Sequence, residues 1–241
     1  MNKIVVTLLN PWSINEAAKM AGFCARLTQR GHQIKDGDTM YELYQKSISK
    51  DFIKNLTELP HPTLQKFGTI NICVTGASRR FLAQITRHQN EVKFMSASLQ
   101  YSDYSDNGDF VVPYNILGTS MEKKFITDCQ AMMKEYKNFA KKYGNDSAGY
   151  LAPQSLRNVL VISATPFQWK HMIKQRICRR NTDETRYVML KCWEVLLAND
   201  DYGLFDNCLP DCCNEGKFSC KNPFDKNSSP ASILTSDFPN L

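Results

Sequence analysis

The sequence predicts an α/β protein, of the α+β kind, in which a small mixed sheet is flanked by long helices. Short apolar segments with the alternation of strands are separated by longer segments with apolar residues every three or four positions. The chain has 241 residues, 42% of them apolar and 22% charged, which is enough for one sizeable core. We expect one domain over residues 1–200, followed by a cysteine-containing tail over residues 201–241.

In the first half of the chain, two predicted strands enclose two predicted helices. Residues 4–9 are an apolar strand, and residues 14–27 are an alanine-rich helix. Asp38 or Thr39 can cap a second helix, which continues to about Leu59 because Pro60 ends it. Residues 67–74 then alternate as a half-buried strand does.

The second half contains three predicted helices and one predicted strand. A long amphipathic helix covers residues 119–143 and ends at Gly144, and residues 156–164 form a strand. Pro166 is suited to the first turn of a helix that runs to about residue 180. Residues 183–198 form another helix with acidic residues at its positive end. The last twenty residues are rich in Asn, Ser and Pro, and we expect them to be poorly ordered.

The charge and hydropathy of the chain limit the classes of partner that we expect. The net charge is +6 with scattered Lys and Arg, which favours a phosphate-bearing small molecule over nucleic acid. No apolar stretch is long enough to span a membrane, and Pro11 interrupts the apolar start too early for a signal peptide. We expect a cytoplasmic protein with no membrane partner.

Residues 79–101 are the most informative segment. Apolar positions in residues 74–86 indicate a helix with one buried face. Gln84, Arg87, His88 and Glu91 are three or four positions apart and are predicted to share a face of that helix and point into one site.

Residues 84–101 resemble the signature of the flavin-dependent thymidylate synthases. In that family a helix end reading Gln-x-x-Arg-His-Arg is followed by Ser-x-Arg-Tyr. Residues 84–89 read QITRHQ and residues 98–101 read SLQY, so glutamine replaces two of the arginines and the spacing is about one residue longer. Three more segments resemble the family in its order: His61-Pro62-Thr63, residues 170–178 (KHMIKQRIC) and residues 213–220 (CNEGKFSC).

The resemblance implies the family's fold and a role for each matching residue. Arg87 and His88 match a pair that contacts FAD of a neighbouring subunit; Glu91 and His171 would also bind the cofactor. Gln84, Ser98 and Gln100 match positions that hold the nucleotide substrate. Arg176 matches an arginine that holds and polarises the pyrimidine, an electrostatic role. Arg176 and Ser98 are therefore the candidate catalytic residues.

The activity that the resemblance implies is reductive methylation of dUMP to dTMP at C5 by a homotetramer. FAD would be the cofactor, and NADPH and methylenetetrahydrofolate the co-substrates. One alternative is methylation or hydroxymethylation of another pyrimidine nucleotide, UMP or dCMP. A second is a non-catalytic nucleotide- or flavin-binding paralogue.

The main departure from the family pattern is at the substrate phosphate. Gly149 stands where the family has an arginine, and Gln100 replaces another. Losing two charged hydrogen bonds costs roughly 3–6 kcal/mol. Either another cation, such as Arg79, Arg80 or Lys93, binds the phosphate, or the substrate is different.

Nine cysteines fall into two groups. Five lie in apolar patterns and are expected to be buried thiols: Cys24, Cys73, Cys129, Cys178 and Cys192. The other four crowd into the tail: Cys208, Cys212, Cys213 and Cys220. This density suits a zinc site, with Cys178 as a further ligand, or a reduced tail packed on the core, and the sequence leaves both open.

Overall fold

The structure is a computed structural model that describes residues 3–57, 59, 61–214 and 216–241. Four strands and nine α-helices are found in the described residues. The strands are β1 (Val5–Leu8), β2 (Ile70–Ser78), β3 (Val92–Ser96) and β4 (Arg157–Ala164). The helices are α1 (Trp12–Arg30), α2 (Gly37–Ser47), α3 (Lys50–Thr57), α4 (Arg79–Ile85), α5 (Ser120–Tyr143), α6 (Asn145–Gly149), α7 (Pro166–Arg176), α8 (Asp183–Ala198) and α9 (Pro230–Asp237).

The four strands form one sheet in the order β1-β2-β4-β3. Every pairing is antiparallel, so the α/β class is confirmed but the predicted mixed sheet is wrong. Strand β2 pairs Val74 with Leu160 of β4, and the register shifts beside Gly76. Gly76 has φ of +82°, and a β-carbon there would lie 2.8 Å from the carbonyl oxygen of Lys3, so glycine is required at this bulge.

Two hydrophobic clusters hold the fold together. The larger one joins one face of the sheet to helices α1, α4, α7 and α8 and includes the fully buried Trp169 and Trp193. The smaller one lies between helix α5 and the segment after β3, around Tyr136 and Leu156. Alternate residues of β2 and β4 enter the larger cluster, as the period of a strand requires.

Several predicted elements are confirmed with small changes of boundary. Helix α8 begins and ends where it was predicted, and Thr119 caps α5 through its side chain. The predicted helix from Asp38 or Thr39 is two helices, because α2 ends at Ser47 and α3 begins at Lys50. Its cap is Asp36, which forms a reciprocal capping box with Thr39.

The segment predicted as a helix from Val74 starts later than expected. Residues up to Ser78 continue strand β2, and α4 then has only seven residues. Arg87, His88 and Glu91 follow the helix, so the predicted common helical face is wrong. Strand β3, at the edge of the sheet, was not predicted; its half-buried residues alternate with the exposed Lys93 and Met95.

The C-terminal segment packs as part of the domain. Leu204, Phe205 and Cys208 enter the larger cluster together with Ile233 and Phe238. Helix α9 lies against α8, so the expectation of a poorly ordered last twenty residues is wrong. Its few large apolar side chains anchor it despite a polar composition. Within the described residues, no helix is long and apolar enough to cross a membrane.

Candidate functional site

The end of helix α7 lies beside the segment that follows helix α4, and one arginine joins them. Nε of Arg176, the last residue of α7, lies 2.8 Å from Nε2 of His88 and donates a hydrogen bond to it. Nη2 of the same side chain donates to the backbone carbonyl of Gln84 at 3.0 Å. Two bonds to separate groups fix the plane of the guanidinium.

His88 is held neutral by its surroundings. Burial, followed by smaller contributions from the nearby Arg176 and His171, lowers the pKa of His88 to about 4. The ring of His171 meets the ring of His88 edge to face, with 5.8 Å between centroids. Because Nε2 of His88 accepts from Arg176, the ring proton is assigned to Nδ1.

Arg176 is also partly desolvated. Burial lowers the pKa of its guanidinium, and the positive charge of Arg87 lowers it further. The group stays charged at neutral pH because an arginine pKa starts so high. A fixed cation in a partly dry site acts more strongly on a nearby ligand than it would in water.

These side chains line a cavity of about 480 Å³. The lining residues are Arg87, His88, Gln89, Asn90, Phe167, Gln168, His171, Gln175 and Arg176. The wall combines two arginines with two imidazoles and an aromatic ring. That composition suits an anionic ligand with a ring system.

Glu91 lies beside this cavity without being in its wall. Its carboxylate is 3.1 Å from Nζ of Lys66, and that ammonium lies 5.4 Å from the ring centroid of Phe167 in the cavity wall. The backbone of Glu91 is left-handed, with φ of 55°, which turns the chain from α4 into β3.

The side chain of Gln84 makes contacts that the sequence did not suggest. Its Oε1 accepts a hydrogen bond from Oγ1 of Thr182 at 2.9 Å and a closer one from Oγ1 of Thr185. Threonines are common at helix starts, so neither residue stood out in the sequence. Only the fold brings the start of α8 to the end of α4.

Ser98 and Gln100 lie on a different part of the fold. Oγ of Ser98 accepts from the backbone N–H of Gln100 at 3.1 Å and shapes the turn after β3. A β-carbon added to Gly149 would lie 3.4 Å from Cβ of Leu99, so the two segments are neighbours. None of the contacts found among the described residues joins this turn to Arg176. The structure therefore divides the predicted site into two groups.

A larger cavity of about 930 Å³ lies between helix α5, the loop at residues 150–155 and the start of α8. Arg80 lies in its wall, as do Thr182 and Glu184. The carboxylate of Glu184 accepts from the backbone N–H and the hydroxyl of Ser78, at 2.6 and 2.5 Å. Burial raises the pKa of Glu184, although these two bonds counter it.

The described cysteines are less uniform than the sequence predicted. Cys129, Cys178 and Cys192 are buried as expected, but Cys24 and Cys73 are half-buried. Cys208 is fully buried, with Sγ 3.7 Å from the carbonyl oxygen of Phe205. Among the side chains that the structure describes, no three His, Cys, Asp or Glu residues form a metal-binding group. The side chain of Cys212 is outside that set.

The family is settled by comparison with known proteins. The model of the thymidylate synthase complementing protein family matches residues 7–199. The chain belongs to the flavin-dependent thymidylate synthase family. The family match includes α4, α7 and the start of α8, where the arginine and histidine groups meet.

Curated members of the flavin-dependent thymidylate synthase family are distant relatives. The enzyme of Corynebacterium diphtheriae is 20% identical in an alignment of 188 residues that covers 66% of this chain and 71% of that enzyme. The enzyme of Thermococcus kodakarensis is 24% identical in an alignment of 153 residues that covers 58% of this chain and 59% of that enzyme. The match to the second relative thus covers less than two thirds of its length.

Solved structures share the fold of the flavin-dependent thymidylate synthases. ThyX from Helicobacter pylori, crystallised with FAD and dUMP, superposes with a TM-score of 0.63 at 16% identity, covering 86% of this chain and 99% of that one. PolB from Streptomyces cacaoi, a UMP/dUMP methylase bound to 5-bromo-dUMP, superposes with a TM-score of 0.61 at 16% identity. The superposition covers 82% of this chain and 94% of PolB.

Proposed function

We propose that this protein is an FAD-dependent enzyme that methylates dUMP at C5 to give dTMP. Methylenetetrahydrofolate would supply the carbon and NADPH the reducing equivalents. The observation that carries the proposal is the hydrogen-bonded group of Arg176, His88 and the Gln84 carbonyl. It joins a predicted substrate-binding arginine to a predicted flavin-binding histidine. Both residues lie in segments that resemble the family's motifs.

The cavity at this group fits part of an FAD molecule. Arg87 offers positive charge to the diphosphate, and Phe167 offers a ring face. Neutral His88 presents an Nδ1–H donor without adding charge. Bound flavin would supply hydride transfer, which no side chain can perform. We assign the binding of the flavin to Arg87, His88 and His171, and Glu91 lies beside them.

Arg176 is assigned to the pyrimidine. Its guanidinium has a fixed orientation and is partly shielded from water, so it can stabilise negative charge that develops on a ring oxygen. A fixed donor also orients the base and thereby lowers the entropic cost of reaction. No cysteine is required for this chemistry.

We further propose that the complete site contains residues from more than one copy of the chain, in a homotetramer. Ser98 and Gln100 are assigned to the substrate, yet they lie on the turn beside Gly149. Tyr101 and Tyr150 on these two segments are 83% and 90% exposed, which leaves two aromatic rings available to a neighbouring copy. Oligomers with closed symmetry commonly build sites in this way.

A second candidate substrate is UMP. The similarity of fold to a UMP/dUMP methylase supports it, as does the glycine at position 149. A substrate with a 2′-hydroxyl can gain hydrogen bonds that offset weaker phosphate binding. Product analysis with dUMP, UMP and dCMP distinguishes these candidates.

The proposal is tested first by flavin binding. The purified protein is titrated with FAD while absorbance is recorded across the flavin bands, and the complex is then reduced anaerobically with NADPH. Bound flavin that bleaches with NADPH, together with labelled dTMP formed from dUMP and methylenetetrahydrofolate, supports the proposal. Absence of flavin binding at saturating FAD would contradict it and favour a non-catalytic paralogue.

A further inference from the structure

Three polar side chains meet where helix α4 packs against the start of α8. The hydroxyls of Thr182 and Thr185 both contact Oε1 of Gln84 and lie 2.9 Å from each other. A hydroxyl has one proton to donate. Either both donate to Gln84, or Thr182 donates to Thr185, which then donates to Gln84. Both arrangements use Oε1 as the acceptor and turn it toward α8.

The N-cap of α8 indicates that this contact is more than incidental. Thr182 is the N-cap residue and has extended backbone angles, yet its side chain makes no capping hydrogen bond. Thr165 and Thr119 cap α7 and α5 through their hydroxyls, as threonine normally does. The hydroxyl of Thr182 is therefore directed to Gln84 and Thr185 at the expense of a cap.

The second threonine has no access to water. Thr185 is fully buried, so its hydroxyl must find a partner inside the protein, and that partner is Gln84. The side chain of Gln84 is half-buried, and its Nε2 makes no hydrogen bond to the described residues. Because Oε1 is turned toward α8, Gln84 presents its two N–H donors to a ligand.

We propose that Thr182 and Thr185 are positioning residues that orient the amide of Gln84, so that it donates to a carbonyl oxygen of the pyrimidine. The inference rests on the proposed function, in which Arg176 contacts the base, and on the predicted role of Gln84 in holding the nucleotide. Arg176 also offers only donors. Two donor-only groups favour a uracil, which has two carbonyl oxygens, over a cytosine, whose exocyclic amine is itself a donor. The threonine pair thereby becomes a determinant of base specificity.

The test compares Thr185→Val with Thr185→Ser in the FAD-loaded full-length protein. Valine keeps the shape and removes the hydroxyl, whereas serine keeps the hydroxyl. We measure Kd for dUMP and dCMP by calorimetry, and KM and kcat with dUMP. Thr185→Val should raise Kd and KM for dUMP about tenfold, the effect of one lost hydrogen bond. It should raise Kd for dCMP less, while Thr185→Ser stays within about threefold of the wild type.

Thr127→Val is the matched control, because its exposed hydroxyl bonds only to the carbonyl of Lys123 on helix α5. Thr182→Val is the second test variant and should also weaken dUMP binding. It provides the test if Thr185→Val does not fold. If the folded valine variants keep the wild-type ratio of dUMP affinity to dCMP affinity, the inference about the threonines is overturned and the proposed function is unaffected. Failure of the wild type to bind FAD or any nucleotide would overturn the proposed function instead.

Discussion

Nε of Arg176 donates to Nε2 of His88 across 2.8 Å, which ties the end of helix α7 to the segment after α4. The bond requires a His88 ring that is unprotonated at Nε2. A protonated ring would place two positive charges in contact in a buried site. The charge state of one histidine thus controls whether the proposed flavin and pyrimidine residues stay together.

This relationship predicts a pH dependence of stability. The pKa of His88 is lowered from 6.5 to about 4, so between these values the unfolded chain binds more protons and stability falls as pH falls. The full effect is about 3 kcal/mol of unfolding free energy, complete below pH 4 or so. Chemical denaturation between pH 7 and pH 4.5 should show that His88→Gln loses less unfolding free energy than the wild type does. Glutamine cannot be protonated in this range and still offers Arg176 an acceptor.

His32→Gln, at an exposed histidine outside the cavity, is the control and should follow the wild type. Equal pH dependence in wild type and His88→Gln would show that His88 is not held neutral by the fold.

Replacing Arg176 should impair the proposed reaction more than it impairs folding. Lysine keeps the charge but cannot donate in one plane to both His88 and the Gln84 carbonyl. We expect kcat/KM for dTMP formation from dUMP to fall by about 10²–10³ in Arg176→Lys, the usual cost of losing a preorganised donor. Arg30→Lys, at the exposed end of α1, should keep full activity. Activity of Arg176→Lys within threefold of wild type would remove Arg176 from the chemistry.

The sequence was sufficient to predict the long helices but not every strand, and not the way the elements pack together. Periodicity and caps located α5 and α8 because each has a long amphipathic or apolar pattern and a clear start. The same reasoning joined residues 74–86 into one helix, because a buried strand running into a short helix has no break in its apolar pattern. The pairing of Gln84 with Thr182 depends on tertiary packing and has no local signal.

The C-terminal segment shows a similar limit. Asn, Ser and Pro suggested disorder, but Asp237 forms ion pairs with Arg186 and Arg179, and Phe238 is buried beside them. Composition averages over residues, whereas two or three well-placed contacts can anchor a short helix.

Removing the carboxylate charge of Asp237 should therefore destabilise the whole domain. Arg186 is 6% exposed, and without Asp237 its buried charge would be poorly compensated. We expect Asp237→Asn to lower the unfolding free energy by about 2–4 kcal/mol, slightly less than the roughly 3–5 kcal/mol for a fully buried pair. Glu135→Gln, at an exposed position of α5, should change it by less than about 0.5 kcal/mol. Equal unfolding midpoints for Asp237→Asn and wild type would show that α9 does not anchor the core.

Cys208 should behave as an inert thiol and not as a metal ligand. It is fully buried, and burial raises its pKa to about 12, so almost no thiolate is present at neutral pH. Iodoacetamide at about pH 8 should modify the half-buried Cys24 and Cys73 in the folded protein, but Cys208 only after unfolding. Stoichiometric zinc in the purified protein that disappears in Cys208→Ser would contradict this and favour the zinc site.

The proposed sharing of the site between copies can be tested by mixing two inactive variants. Ser98→Ala removes the oxygen that shapes the turn after β3, and Arg176→Gln removes the cation at the end of α7. If each complete site takes Ser98 from one copy and Arg176 from another, an equal mixture of co-expressed variants should restore about a quarter of wild-type activity by random assembly.

Mixing Arg176→Gln with the double variant is the control and should restore none, since no copy then carries Arg176. If the two groups act within one copy, the two single variants should also fail to complement. Recovered activity would thus place the two halves of the site on different subunits, which explains why the contacts within one chain keep Ser98 and Arg176 apart.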